Sequence, residues 1–147
     1  MANNFKKGTY SVLNPNKYTG RGAPTYRSGW ELTFMRFCAN IISWASEAVR
    51  IPYRNPFTGK QTTYVPDFLI TYMGKNNQRR AELIEVKPRA QVTLEVARST
   101  KEKASVILNM AKWEAARAWC KGMGCQFRII TEEDLFNKAS PNRTRRK

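Results

Sequence analysis

Apolar residues follow two kinds of pattern along this chain. Trp30, Phe34, Phe37 and Ile41 recur at i, i+4, i+7 and i+11, a single helical stripe. Ser28 and Glu31 precede it as a capping-box pair, so a helix is predicted from Ser28 to between Asn40 and Ser43. The stretches Ala48 to Tyr53, Gln61 to Tyr72 and Arg79 to Lys87 are rich in β-branched and aromatic residues instead. The turn-forming strings NPFTGK and MGKNNQ separate them, which predicts three strands in an antiparallel meander. Pro66 has no amide donor and marks an edge, a bulge or a break in the second of these. Helical spacing returns at Ala104, Ile107, Leu108, Ala111, Ala115, Ala118 and Trp119 and stops at Gly122 and Gly124; its start lies somewhere beyond Gln91. Gln126 to Ile130 reads as a short strand, and Thr131 and Asp134 open a last short helix.

The resulting order is α-β-β-β-α-β-α. A strand that follows a long helix reaches the sheet by a crossover. The predicted fold class is therefore α/β of the α+β kind: a mixed sheet, an antiparallel three-stranded meander plus one crossover strand, flanked by helices. The length, 147 residues, suits one domain. Residues 1–24 read as a basic extended N-terminal arm, because Pro15, Pro24 and several Gly and Asn interrupt them and no acid occurs before Glu31. Residues 25–137 form the domain. Residues 138–147, with Lys138, Arg143, Arg145, Arg146 and Lys147 and no acid, read as a basic flexible tail.

Charge changes the picture from fold to partner. Twenty-six Lys and Arg oppose eleven Asp and Glu, a formal net charge of +15, which points to a polyanion and first of all to nucleic acid. A membrane partner is not expected: no apolar run approaches the ~18–20 residues of a span, and no basic helix offers a free apolar face. The opening residues lack the apolar stretch of a secretory signal, so a protein made and used inside a cell is expected. The chain has no histidine, which excludes Ser-His-Asp, Cys-His and HExxH chemistry. Cys38, Cys120 and Cys125 contain no CxxC pair, so free thiols are expected, not a zinc site or disulfide.

The candidate chemistry lies in Pro66-Asp67 and Glu85-Val86-Lys87, on two strands that are neighbours in sequence. Side chains alternate along a strand, so Leu83, Glu85 and Lys87 share one face, with the Cα atoms of Glu85 and Lys87 ~6.6 Å apart. If Asp67 points the same way, two carboxylates and an amine converge. Close carboxylates repel unless a cation lies between them, and hard divalent ions take such oxygen ligands together with substrate phosphate. The ordinary alternative is a cross-strand ion pair, worth about 0.2–1 kcal/mol at a surface. Against it, Glu85 lies within the apolar run Leu83-Ile84-x-Val86, and acids are scarce in this chain.

The PD…ExK string, preceded by a helix that carries a glutamate, resembles the PD-(D/E)xK nuclease superfamily. A closer resemblance is to the head-completion nucleases of large contractile-tailed phages, relatives of the transposon end-cleaving nuclease subunit. It rests on Tyr26 to Glu31, Trp44 to Glu47, Ile51 to Tyr53, Tyr64 to Asp67, Glu85 to Pro88, Lys112-Trp113 and Phe127 to Glu132, in order over about residues 25–135. The resemblance implies a restriction-endonuclease-like core and a metal-dependent DNA endonuclease. Its metal ligands would be Asp67, Glu85 and the Val86 carbonyl, and its catalytic residues Asp67, Glu85, Lys87 and Glu31. Glu31 also has the capping role already given. Glu47 either lines the site or serves a strand end. The implied cofactor is Mg²⁺ or Mn²⁺, with no small-molecule cofactor. The implied partners are double-stranded DNA and phage portal, neck or other head proteins, in the host cytoplasm during assembly and then in the virion. Arg79, Arg80, Arg89, Lys101 and Lys103 are candidate phosphate contacts. Two other functions fit the same residues: a non-catalytic neck or connector component, and a transposon- or junction-type nuclease.

Overall fold

The computed structural model describes residues 7–92, 94 and 97–136. In chain order the elements are β1 (Gly8–Thr9), β2 (Thr25–Tyr26), α1 (Gly29–Phe37), β3 (Ser43–Ser46), β4 (Ile51–Arg54), β5 (Gln61–Tyr64), β6 (Phe68–Met73), β7 (Arg79–Val86), α2 (Thr100–Met123), β8 (Gln126–Ile130) and α3 (Glu132–Phe136). Among the described residues the main sheet has the strand order β3-β6-β7-β8. β3, β6 and β7 are antiparallel, and β8 returns parallel to β7 after the crossover through α2. This is the mixed sheet that the element order predicts.

The strands that build it differ from expectation at one side. Ile51–Arg54 does not join the sheet but pairs with Gln61–Tyr64 as a separate hairpin. Buried Pro66 cannot donate to a ladder, so the run expected from Gln61 to Tyr72 splits into β5 and β6 around it. The place of the first strand is taken by Ser43–Ser46, where a helix end was expected. Ile41 is already extended, with φ −102° and ψ 179°, so the helical stripe cannot continue through it.

One sheet face carries Trp44, Phe68, Ile70, Ile84 and Val86 and is covered by Trp30, Phe34 and Met35 of α1 and by Leu135 of α3. The other carries Leu83 and is covered by Trp113, Ala116 and Cys120 of α2 and by Ile51, Tyr53 and Tyr64 of the hairpin. In α1 the Ser28 hydroxyl accepts the Glu31 amide at 3.2 Å, while the Glu31 carboxylate accepts the amide of Arg27, one residue before the N-cap. Phe37 is 55 % exposed rather than part of the stripe. The buried arc runs from Trp30 through Phe34 and Cys38 to Met35 and Leu32, and at 100° per residue Phe37 falls on its margin. The buried stripe of α2 is Val106, Asn109, Trp113, Ala116 and Cys120, whereas Ile107, expected to face inward, is exposed. Asn109 takes a core position because its side-chain amide donates to the Gln91 carbonyl at 3.2 Å. A full capping box of Ser99 and Glu102 starts α2, and Gly124, at φ 79°, ends it.

The segment expected as an extended arm lies on the core from residue 7 onward. β1 pairs with β2, Tyr10 is buried, and the Tyr18 ring meets the Trp44 ring edge-on at 4.6 Å. Residues 1–6, and the tail 138–147 with its basic side chains, lie outside the described residues. The three cysteines are free, with Cys38 and Cys120 buried. Among the described residues no helix is long and apolar enough to cross a membrane.

Candidate active site

The register of β6 on β7 sets Phe68 opposite Ile84. One residue further, just outside β6, Asp67 comes opposite Glu85. The Asp67 Oδ2 accepts the backbone N–H of Val86 at 2.8 Å, which holds its carboxylate against the end of β7. The Asp67 carbonyl in turn accepts the amide of Glu47 at 2.9 Å. Glu85 is buried, at 5 % exposure, on the face covered by α2 and the hairpin. Its Oε1 accepts the Tyr64 hydroxyl at 2.6 Å, and its Oε2 lies 3.7 Å from the Lys87 ammonium. The Lys87 amide donates to the Ile130 carbonyl at 2.9 Å, so the turn after β7 is tied to β8.

Burial sets the electrostatics of this cluster. It pushes the Asp67 carboxyl well above the usual carboxylate range, and the charges of Glu85 and Glu31 add to the rise against the Val86 hydrogen bond and Lys87. Burial raises Glu85 too, opposed by Lys87, the Tyr64 hydrogen bond and Lys112. Glu31 is raised first by burial, with the Arg27 amide and charge opposing and Glu47 adding. The Tyr64 hydroxyl is pushed far up by burial and then by Glu85, so it stays a donor. Glu47 pairs with Arg27 and holds a left-handed backbone at φ 52°. The sequence thus brings Asp67, Glu85, Lys87 and Glu31 within electrostatic reach of one another, with Glu47 beside Glu31.

Residues 38–132 match the family described as TnsA-like endonuclease N terminal. A curated relative, the "Head completion nuclease" of Enterobacteria phage T4, is 32 % identical, across 87 % of this chain and 92 % of that protein. The chain belongs to the TnsA-like endonuclease family. No solved structure matches it. The sheet, its crossover strand and its flanking helices are accordingly the restriction-endonuclease-like arrangement that the resemblance implies.

The other expected site residues lie outside the cluster. Arg79 and Arg80 begin β7, and Arg80 is about 17 Å of strand away from Glu85. Arg89 is nearer but committed: its amide donates to Glu132 and its guanidinium to Glu133, each at 2.9 Å. Lys101 and Lys103 are exposed on the first turn of α2. Three residues without an expected role do reach the cluster: Tyr64 on Glu85, Arg27 on Glu47, and Lys112 above the Tyr53 and Tyr64 rings. All three fall within the strings that carry the resemblance, which was the available signal.

Among the described residues no three His, Cys, Asp or Glu side chains form a ready-made metal cluster. The donor chemistry nevertheless fits a hard divalent cation. Asp67 and Glu85 offer oxygen only, each accepts one hydrogen bond among the described residues, and burial raises both while Glu85 also raises Asp67, a cost that a cation would offset. The Val86 carbonyl, next to Glu85 in sequence, could supply a third oxygen.

Proposed function

We propose that the protein is a metal-dependent DNA endonuclease of phage head completion, which trims or guards the packaged DNA end before the tail joins. The observation that carries this reading is the convergence of the half-buried Asp67 and buried Glu85 carboxylates with the Lys87 amine at the end of β7. Asp67, Glu85 and the Val86 carbonyl would hold Mg²⁺ or Mn²⁺. When bound, the ion would supply Lewis-acid polarisation of the scissile phosphate. Lys87 directs its amine to the same volume, where it orients the attacking water and offsets the negative charge that grows on the phosphate oxygens. Tyr64 keeps Glu85 aimed by its hydrogen bond, and the Val86 amide does the same for Asp67. Glu31 completes the acidic side of the site from α1, with its charge partly offset by Arg27, which Glu47 shares. Water adds to phosphorus, the P–O bond to one sugar breaks, and the displaced oxygen takes up a proton. The relative's printed name and the net charge of +15 support double-stranded DNA as the substrate and the phage head as the setting.

Cleavage of linear and circular DNA by the wild type and Asp67→Ala, with and without Mg²⁺, tests the reading. Metal-dependent cleavage that Asp67→Ala abolishes supports it, and equal cleavage by both overturns it. The exposed Arg79 and Arg80, far along β7 from the carboxylates, favour a second reading as a non-catalytic neck component. That reading predicts that Glu85→Ala and Lys87→Ala particles assemble and infect normally. A junction-type nuclease would instead cut branched DNA in preference to linear DNA.

A further inference from the structure

Lys112 is a cation on the inner side of α2 that the reading above leaves without a task. It is half-buried on the sheet face that carries Glu85, and among the described residues it has no ion-pair partner. Its ammonium lies 5.7 Å from the centre of the Tyr64 ring and 6.0 Å from that of Tyr53. Tyr64 is the residue whose hydroxyl holds Glu85. Lys112 also feels the charges of both Glu85 and Lys87: burial and Lys87 lower its pKa, and Glu85 opposes them.

Desolvating an ammonium is costly, and two tyrosine faces return only about 0.5–2 kcal/mol each. A packing role alone would be met by an apolar residue in the same place. The charges around Glu85 suggest what the amine is for. Two carboxylates and a divalent cation cancel, which leaves the Lys87 and Lys112 amines as a surplus. A phosphodiester brings one negative charge and gathers more on its oxygens as water attacks. Glu31 and Glu47 share the one charge of Arg27 and so take up one of the two amine charges, which leaves a single positive charge for the phosphodiester to match.

Resting on the nuclease reading, we infer that Lys112 is a second active-site amine: it grips the scissile phosphate of bound DNA from α2, while Lys87 acts from β7. Its aromatic seat on Tyr53 and Tyr64 holds the ammonium in place without neutralising it, so the charge stays available to the substrate.

The test compares Lys112→Met, which keeps the stem and its packing, with Lys112→Arg, which keeps the charge. Three quantities are read on the full chain: affinity for a DNA duplex in metal-free buffer, cleavage kinetics, and Mn²⁺ affinity by calorimetry. Lys112→Met is expected to bind DNA about tenfold more weakly and to lose about a hundredfold in kcat/KM. It should also bind Mn²⁺ several-fold more tightly, because a cation near Glu85 is gone, while Lys112→Arg restores most of the DNA affinity and cleavage. The gain in Mn²⁺ affinity follows from the lost charge alone; what separates a phosphate grip from a packing role is a loss of DNA affinity and kcat/KM that Arg rescues at an unchanged melting temperature. Wild-type DNA and Mn²⁺ affinity in Lys112→Met would overturn the assignment. So would losses that follow the melting temperature and that Arg does not rescue. Should Lys112→Met fail to fold, Lys112→Gln is read in the same way. Asp67→Ala runs beside them: if it cleaves like the wild type, the nuclease reading falls. If it is inactive while Lys112→Met cleaves and binds normally, only the role of Lys112 falls.

Discussion

The Asp67 carboxylate accepts the backbone amide of Val86, so one acid of the site is fixed by the strand that carries the other. Replacing Asp67 with Asn keeps an oxygen acceptor for that amide and removes the charge. Asp67→Asn is expected to fold with an unchanged or higher melting temperature and to lose about a thousandfold or more in cleavage. Calorimetry and a nicking assay on the same preparation check the two halves. A large fall in melting temperature would mean that the carboxylate serves the fold.

The pH dependence of stability carries a definite sign. Asp67, Glu85 and Glu31 all have folded-state pKa values raised from their ordinary values, Asp67 most strongly, with burial as the first cause. Their contribution is fully present below about pH 4, where the unfolded carboxyls are still protonated, and is lost as pH rises through the folded values. The stability advantage of Asp67→Asn over the metal-free wild type should therefore widen from pH 4 towards pH 8. Added Mg²⁺ should stabilise the wild type most at the upper end of that range. Thermal melts across pH, with and without the ion, measure both trends.

Tyr64→Phe deletes a hydrogen bond to a buried carboxylate and leaves the ring in place. The expected cost is about 1–3 kcal/mol of stability. Because the lost bond favours the charged form, the Glu85 pKa rises further and the acid limb of the cleavage profile moves to higher pH. An unmoved acid limb would mean that Glu85 does not govern it.

Ser99→Ala offers a contrast far from the chemistry. It removes the N-cap hydroxyl that accepts the Glu102 amide at 3.0 Å and should cost about 1 kcal/mol, with cleavage at saturating DNA unchanged. Urea unfolding and cleavage measured together check this.

Much of the site can be read from the chain because it follows from strand alternation. Glu85 and Lys87 must share a face, and Asp67 falls opposite Glu85 once β6 and β7 pair. Tyr64 and Lys112 obey no such rule. They arrive through the hairpin and α2, elements whose seating on the sheet no local pattern encodes. β3 escapes for a different reason: Ser-Trp-Ala-Ser has one large apolar side chain in four positions, too few to show a period. The stripe of α2 misleads because Asn109 and Cys120 hold core positions while Ile107 and Met110 face outward. Periodicity counts apolar residues, and burial here followed a hydrogen bond and a thiol.

β7 carries Glu85, yet its parallel partner is β8, and the Lys87 amide is satisfied by Ile130 near the end of the fold. Arg89 is likewise anchored by Glu132 and Glu133. A nascent chain on the ribosome that has emerged only through Lys87 holds every proposed metal ligand but not the strand that steadies them. The proposed site is thus steadied only once β8 has followed β7, and a product that terminates before β8 lacks that support.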